Sequence, residues 1–149
     1  MSNCGSSDSG RSLVVPEGTT SIGSRAYSGR TDFTEVIVSP GIRELGAGAF
    51  ADCTSLKKVI LPEGISRIRK DTFAGCTALK YINLPAGVTS IGEWAFRNCS
   101  ALDEIEIPDS VTDIAAEAFL SCPLLSIIAA KGSYAEQYAN KFSIHCKTI

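Results

Sequence analysis

Four stretches decide how this chain is read: residues 49–56 (AFADCTSL), 72–79 (TFAGCTAL), 95–102 (AFRNCSAL) and 118–125 (AFLSCPLL). Each starts 23 residues after the one before, and each carries a cysteine three residues past a phenylalanine. The interval is not confined to the cysteines. Tyr27, Phe50, Phe73, Phe96 and Phe119 follow it, as do Ile22, Leu45, Ile68, Ile91 and Ile114. So do Phe33, Leu56, Leu79, Leu102 and Leu125, and again Val36, Val59, Ile82, Ile105 and Ile128. Val15, Val38, Leu61, Leu84 and Ile107 form a fifth row, and the spacing reads without insertion or deletion over residues 13–128. Self-similarity at such a period marks a repeat architecture, in which a unit buries its apolar edge only by stacking on its neighbours.

One unit shows the logic. In residues 79–85 (LKYINLP), Ile82 and Leu84 alternate at the strand period of two. Pro85 ends the strand by removing a ladder donor, matched by Pro16, Pro62 and Pro108 and, one place later, by Pro40. Gly18, Gly41, Gly64 and Gly87 follow where the chain must turn, with Ser110 in the last copy. A second extended piece, residues 88–92 (VTSIG), returns along the opposite side, and residues 93–99 (EWAFRNC) make a tight helical turn that inserts Phe96 into the core. Stacked units place parallel strands about 4.8 Å apart. The expected fold is a curved solenoid with its parallel β-sheet on the concave side and turns, 3-10 or helical pieces on the convex side.

Composition is compatible with one domain and excludes several functions. The 149 residues are 44% hydrophobic and 20% charged, ordinary values for a globular chain. A net charge of −2 gives no electrostatic ground for binding nucleic acid or an anionic membrane. No apolar run approaches the roughly 18 residues of a membrane-spanning helix, and no membrane insertion is expected. The opening MSNCGSSDSGRS has no apolar segment of signal-peptide type, and residues 1–12 read as a flexible leader. Cys4 would also suit the start of a lipidated mature protein, although no lipobox precedes it.

The pattern LxxIxLPxGVTSIGxxAFxxC, as it stands in residues 79–99, resembles the 23-residue leucine-rich repeats of the BspA-like class of bacterial surface proteins. The resemblance covers about residues 13–130, some five units, and implies a right-handed leucine-rich solenoid at the cell surface or outside the cell. It also implies adhesion or surface interaction, by analogy alone. The first copy departs from the pattern, with Tyr27 for phenylalanine and Arg30 for cysteine, as terminal repeats often do. Residues 131–149 break the period. Ser133 and Glu136 form an S-x-x-E capping box, with Tyr134, Tyr138 and Phe142 on one helical face. This reads as a capping helix followed by an extended tail. The N-terminal edge has no comparable cap, so self-association there is a second expectation.

Stacking lines up Cys53, Cys76, Cys99 and Cys122 with parallel side chains. Adjacent Cα atoms would fall within disulfide range, yet parallel vectors disfavour bridging, and a straight row does not converge on one metal ion. The position matches the Asn/Cys site of leucine-rich repeats, so the row is read as structural thiols facing backbone groups of the turn. Cys146 has no repeat equivalent. Catalytic candidates are few: His145 is the only histidine and lies in the tail. Residues 46–48 (GAG) lack the setting of a phosphate loop, and the Asn98-Cys99-Ser100 sequon is explained by the repeat. No enzyme, metal or cofactor is expected.

Function should then lie where the repeat leaves residues free. The positions flanking the buried strand row are Glu35 and Ile37, Lys58 and Ile60, Tyr81 and Asn83, Glu104 and Glu106, then Ile127 and Ala129. They differ in charge and size from copy to copy, with Tyr81 the natural aromatic anchor. The expected function is non-catalytic recognition of a protein or peptide through this face. The alternative is a structural or self-associating spacer within a larger surface protein.

Overall fold

The computed structural model describes residues 11–15 and 18–149; Cys4, Pro16 and the leader up to residue 10 lie outside them. Each of the first five coils contributes two strands, the first usually the longer, and the sixth contributes one. Numbered in chain order, the longer ones are β1 (Ser12–Val14), β3 (Glu35–Ile37), β5 (Lys58–Ile60), β7 (Tyr81–Ile82), β9 (Glu104–Glu106) and β11 (Ser126–Ala129). The shorter ones are β2 (Ser21–Ile22), β4 (Glu44–Leu45), β6 (Arg67–Ile68), β8 (Ser90–Ile91) and β10 (Asp113–Ile114). A helix, α1 (Tyr134–Lys141), and a last strand, β12 (His145–Thr148), close the chain. All strand pairs are parallel, and the architecture is a parallel-strand solenoid of about six turns with one C-terminal helix. The register between β1, β3, β5 and β7 is 23 residues, pairing Ser12 with Glu35, Glu35 with Lys58 and Lys58 with Tyr81. Arg11 and Ser12, assigned to the leader by sequence, already belong to the first coil: the Arg11 carbonyl accepts from the amides of Thr34 and Glu35.

The helical piece expected around Phe96 is a run of tight turns instead. Alternate amides bond within the coil and across to the next one. Ala49 and Ala51 donate to Gly46 and Gly48, whereas Phe50 and Asp52 donate to Thr72 and Ala74 of the following coil. That alternation needs left-handed backbone at two fixed phases. One phase holds Gly29, Asp52, Gly75, Asn98 and Ser121, mostly residues that accept positive φ at low cost. The other holds Arg25, Gly48, Asp71 and Trp94, with Trp94 at φ 58°. A bulky residue there is strained. The Trp94 ring is held by Lys70 and Arg97, each 5.0 Å from its centroid, and its indole N–H donates to Glu117 at 3.0 Å.

Within the coils the phenylalanine row forms a stack. Ring centroids of Tyr27, Phe50, Phe73, Phe96 and Phe119 are spaced 5.3–5.6 Å apart with nearly parallel planes. Phe50, Phe73 and Phe96 are wholly buried, as are Leu56, Leu79 and Leu102. At about 25 cal/mol per Å² of apolar surface removed from water, these two rows supply much of the stabilisation. Tyr138 of α1 ends the stack edge-on to Phe119, 6.2 Å away, and its hydroxyl donates to the carbonyl of Ala115 at 2.8 Å. The helix is capped much as expected: Ser133 Oγ accepts from the Glu136 amide, but Glu136 Oε1 reaches one residue past the cap to take the Gly132 amide, the Ser133 amide going to Ala130. The tail strand β12 then pairs with β11.

Three departures from strict periodicity shape the sheets. First, the last coil is one residue short. Ile127, not Ile128, aligns with Ile105, and Ile127 is 0% exposed. The assignment of Ile127 and Ala129 to the solvent face and of Ile128 to the buried row is therefore corrected. Both are isoleucines, so the apolar pattern alone does not choose between them. The slip also puts small Ala129 inside, where Ala135 and Ala139 of α1 are buried too. Second, the shorter strands do not pair between β4 and β6. Gly46 and Gly92 donate to Ile22 and Ile68 of the preceding coils, and a Cβ at either would come within 2.4 Å or 2.8 Å of backbone there. Arg69 occupies that phase at the gap and forms no such bond to Leu45. Ala115 keeps the bond, at 3.0 Å against 2.7 Å for the two glycines. Third, the longer strands do not pair between β7 and β9, so the sheet is divided rather than continuous.

Candidate functional site

The sheet of longer strands presents two outward rows. One runs Ser12, Glu35, Lys58, Tyr81, then across the division Glu104, Ser126 and His145. The other contains Val14, Ile37 and Ile60, then Glu106, Ile128 and Lys147. Strand alternation explains this: Val36, Val59, Ile82 and Ile105 between them point inward and are buried. Val14 is 69% exposed, Tyr81 51% and Ile37 43%, while Ile60 is half-buried. The second row is apolar at its N-terminal end, and both glutamates of β9 lie beyond the division.

Many of the candidate residues already have partners. Ser12 Oγ donates to Glu35 at 2.9 Å, and Lys58 Nζ lies 3.8 Å from the other Glu35 oxygen. Lys58 also sits 5.9 Å from the Tyr81 ring centroid, and Lys147 pairs with Glu104. Such exposed pairs add little to stability, about 0–1 kcal/mol each, but they hold the side chains in place. Asn83 is used differently from the others. Its side-chain amide brackets the Leu61 backbone, Oδ1 accepting from the amide at 2.8 Å and Nδ2 donating to the carbonyl at 3.1 Å. Asn83 thus performs a ladder task and is half-buried, so it is not free in the way its phase suggested.

The division between β7 and β9 opens a cleft of about 400 Å³, lined among others by Lys80, Tyr81, Asn83, Asp103, Glu104 and Glu106. In neighbouring coils the amides of Lys57, Lys80 and Ser126 donate to Thr34, Lys57 and Asp103; Asp103 makes no such bond to Lys80. Leu84 is half-buried here, although Leu61 and Ile107 at the same phase are buried. With the Asn83 side chain doing the work of a backbone pair, the chain after Ile82 leaves the ladder.

Sequence reasoning missed Val14, Ile128 and Lys147. Val14 was readable, standing 23 residues before Ile37; Ile128 was hidden by the slip, and Lys147 by the placement of the tail strand.

The cysteine row is built for packing. Each Sγ lies 3.0–3.2 Å from a carbonyl of the preceding coil: Cys53 at Tyr27, Cys76 at Phe50, Cys99 at Phe73 and Cys122 at Phe96. Those carbonyls also take the amide three residues on in their own coil, as Cys53 does to Phe50, so the thiol supplies their second donor. Burial pushes the thiols of Cys53 and Cys122 up to about 11, and those of Cys76 and Cys99 higher still. A thiol so shifted is a poor nucleophile and metal ligand at neutral pH. All five cysteines among the described residues are free thiols, and no three His, Cys, Asp or Glu side chains among those residues are grouped to hold a metal. Arg30 replaces cysteine in the first coil, pairing with Asp32 and lying 5.4 Å from the Phe33 ring centroid. No helix among the described residues is long and apolar enough to cross a membrane.

Parallel coils, a phenylalanine stack and thiols bonded to turn carbonyls define a leucine-rich repeat solenoid. The chain belongs to the BspA-type leucine-rich repeat family, whose model matches six copies over residues 2–144. It is similar to a leucine-rich cell surface protein of Faecalibacterium prausnitzii, with 33% identity over 86% of this chain and 34% of that one, and a TM-score of 0.79. A leucine-rich repeat protein of Bacteroides ovatus is 35% identical over 79% of this chain and 33% of that one, with a TM-score of 0.75. The leucine-rich repeat protein of Treponema pallidum is 30% identical over 78% of this chain and 57% of that one, also at 0.75. The chain thus spans about a third of the first two relatives and little more than half of the third. None of the curated proteins matches it.

Proposed function

We propose that the chain is a non-catalytic recognition module that binds a protein or peptide through the outward rows of its longer strands. The observation that carries this reading is the contrast within each coil. Core, turn and thiol positions barely change, whereas the outward rows change in charge and size and leave Val14 and Ile37 exposed as neighbours in one row and Tyr81 exposed two coils further on in the other. Exposed apolar side chains and an exposed aromatic ring on one sheet face are typical of interaction surfaces. Resemblance to a protein described as a cell surface protein supports a place at the bacterial surface.

A selection of random peptides displayed on phage tests the reading. Peptides enriched on the parent chain should lose binding to Ile37→Asp and to Tyr81→Ala. Enriched peptides indifferent to both changes would refute it. The spacer alternative makes the opposite demand: sedimentation velocity would show concentration-dependent oligomers, and the same two substitutions would not alter them.

A further inference from the structure

The division of the sheet has a shape and a charge that identify what fits it. We propose that the cleft between β7 and β9 takes the arginine side chain of an extended partner peptide. The inference rests on the sheet-face reading and gives that surface a chemical preference. The space is too narrow for another strand, because a strand inserted between two others needs about 4.8 Å on each side, and β7 and β9 remain neighbours in the stack. It is ample for one long side chain, at about 400 Å³.

The banks supply what a guanidinium needs. On one side, the Lys80 carbonyl lacks the donor that Thr34, Lys57 and Asp103 receive from the following coil. On the other, Asp103 and Glu106 have no ion-pair partner among the described residues, while Glu104 is neutralised by Lys147. Tyr81 forms the lip. Lys58 reaches its ring from the β5 side, and the ring lines the cleft on the β9 side. A planar cation can lie against this ring and fork its N–H groups between the carbonyl and a carboxylate. A lysine ammonium, a compact point charge, uses that arrangement less well. The lining carries Asp103, Glu104 and Glu106 against one lysine, Lys80, so its sign favours a cation, and the outward row of the preceding coils is apolar, ending in Ile37 and Ile60. Neighbouring apolar residues of the peptide would rest there.

The test uses the whole chain, labelled with ¹⁵N, and a capped pentapeptide with one arginine between glycines and serines. Its citrulline analogue keeps the shape and removes the charge. The arginine peptide should shift the amides of residues 81–84 and 103–106 saturably, and bind about tenfold more tightly than the citrulline peptide, the worth of one charge-assisted hydrogen bond. Glu106→Gln, at an exposed position, should cost about the same factor with the spectrum otherwise unchanged. Amides of the cleft that do not move, or equal binding of the two peptides, would overturn the proposal. Equal displacement by spermidine would overturn it too, since a polyamine lacks the planar fork. If display-selected peptides still require Ile37 and Tyr81 while the arginine peptide leaves the cleft unmoved, the cleft inference alone fails. If they ignore the sheet face, the broader reading fails on its own account.

Discussion

Replacing Phe73, at the centre of the stack, by alanine should be far more damaging than replacing the ring that starts it, and the structure says why. The ring is wholly buried, 5.6 Å from Phe50 and 5.5 Å from Phe96, with interplanar angles of 3° and 14°. Truncating a buried phenylalanine costs about 3–5 kcal/mol through lost transfer energy and the cavity left behind. Two aromatic neighbours place Phe73 at the top of that range, since each stacked pair contributes about 0.5–1.5 kcal/mol beyond area. The coils above and below are fixed by cross-coil bonds from Phe50 to Thr72 and from Phe73 to Ala95, so the cavity cannot easily collapse. Tyr27 is the internal control. It starts the stack among the described residues, is half-buried and has one stacked partner, Phe50, so Tyr27→Ala should cost roughly half as much. Urea unfolding followed by the fluorescence of the single tryptophan, Trp94, reads both. With a slope of about 2 kcal/mol per molar urea, a loss of about 4 kcal/mol moves the midpoint by about 2 M. Equal losses at the two positions, or a loss below about 2 kcal/mol for Phe73→Ala, would refute the stack as the organising core.

Three further outcomes follow from the departures from periodicity and from the thiols. Ile127→Asp should destabilise by more than about 3 kcal/mol, through an unpaired buried charge, and Ile128→Asp by less than about 1; thermal unfolding of the pair tests the slip, and the reverse order would contradict it. Arg69→Gly removes the Cβ that stands at the β4–β6 gap, so the amide at position 69 should gain a bond to Leu45 and exchange more slowly with deuterium, as the amides of Gly46 and Gly92 do. Unchanged exchange at position 69 would show that another feature holds the gap open. The thiol pKa values are raised by burial, from 9.0 in the unfolded chain to about 11 at Cys53 and Cys122. The folded state therefore holds its protons longer, and the stability linked to them is complete below about pH 8 and falls as pH rises from about 9 through 11. The urea midpoint should drop over that window, less steeply in Cys53→Ala; a steeper drop in the variant would be inconsistent with buried thiols.

Much of this molecule is written in its period. The rows through Phe73, Leu79 and Ile82 set the coil, and the pattern through Ser133 and Glu136 set the helix that ends it. What the period could not convey are the places where one residue does another's work. Asn83 sits at an outward phase, but its amide is long enough to bracket the Leu61 backbone, and only geometry reveals that choice. Arg69 looks like any exposed variable residue until the neighbouring glycines show how closely the coils approach at that phase. Ile127 and Ile128 are equally apolar, and only the strand register shows which of them is buried. The facing of Glu35 and Lys58 follows from the period, because residues 23 apart meet across the ladder, whereas Ser12, read as leader, became their neighbour only in the structure. The candidate site carries the same lesson: the chain after Ile82 leaves the ladder beside the cleft, something no periodic reading contains.

The most direct test of the recognition surface is a photocrosslink. A benzophenone amino acid placed at position 37, on the longer-strand face, should crosslink a display-selected peptide to the chain, and mass spectrometry should find the adduct there. The same group at position 67, exposed on the shorter strands, should give none. Crosslinking from position 67 and none from position 37 would contradict the account.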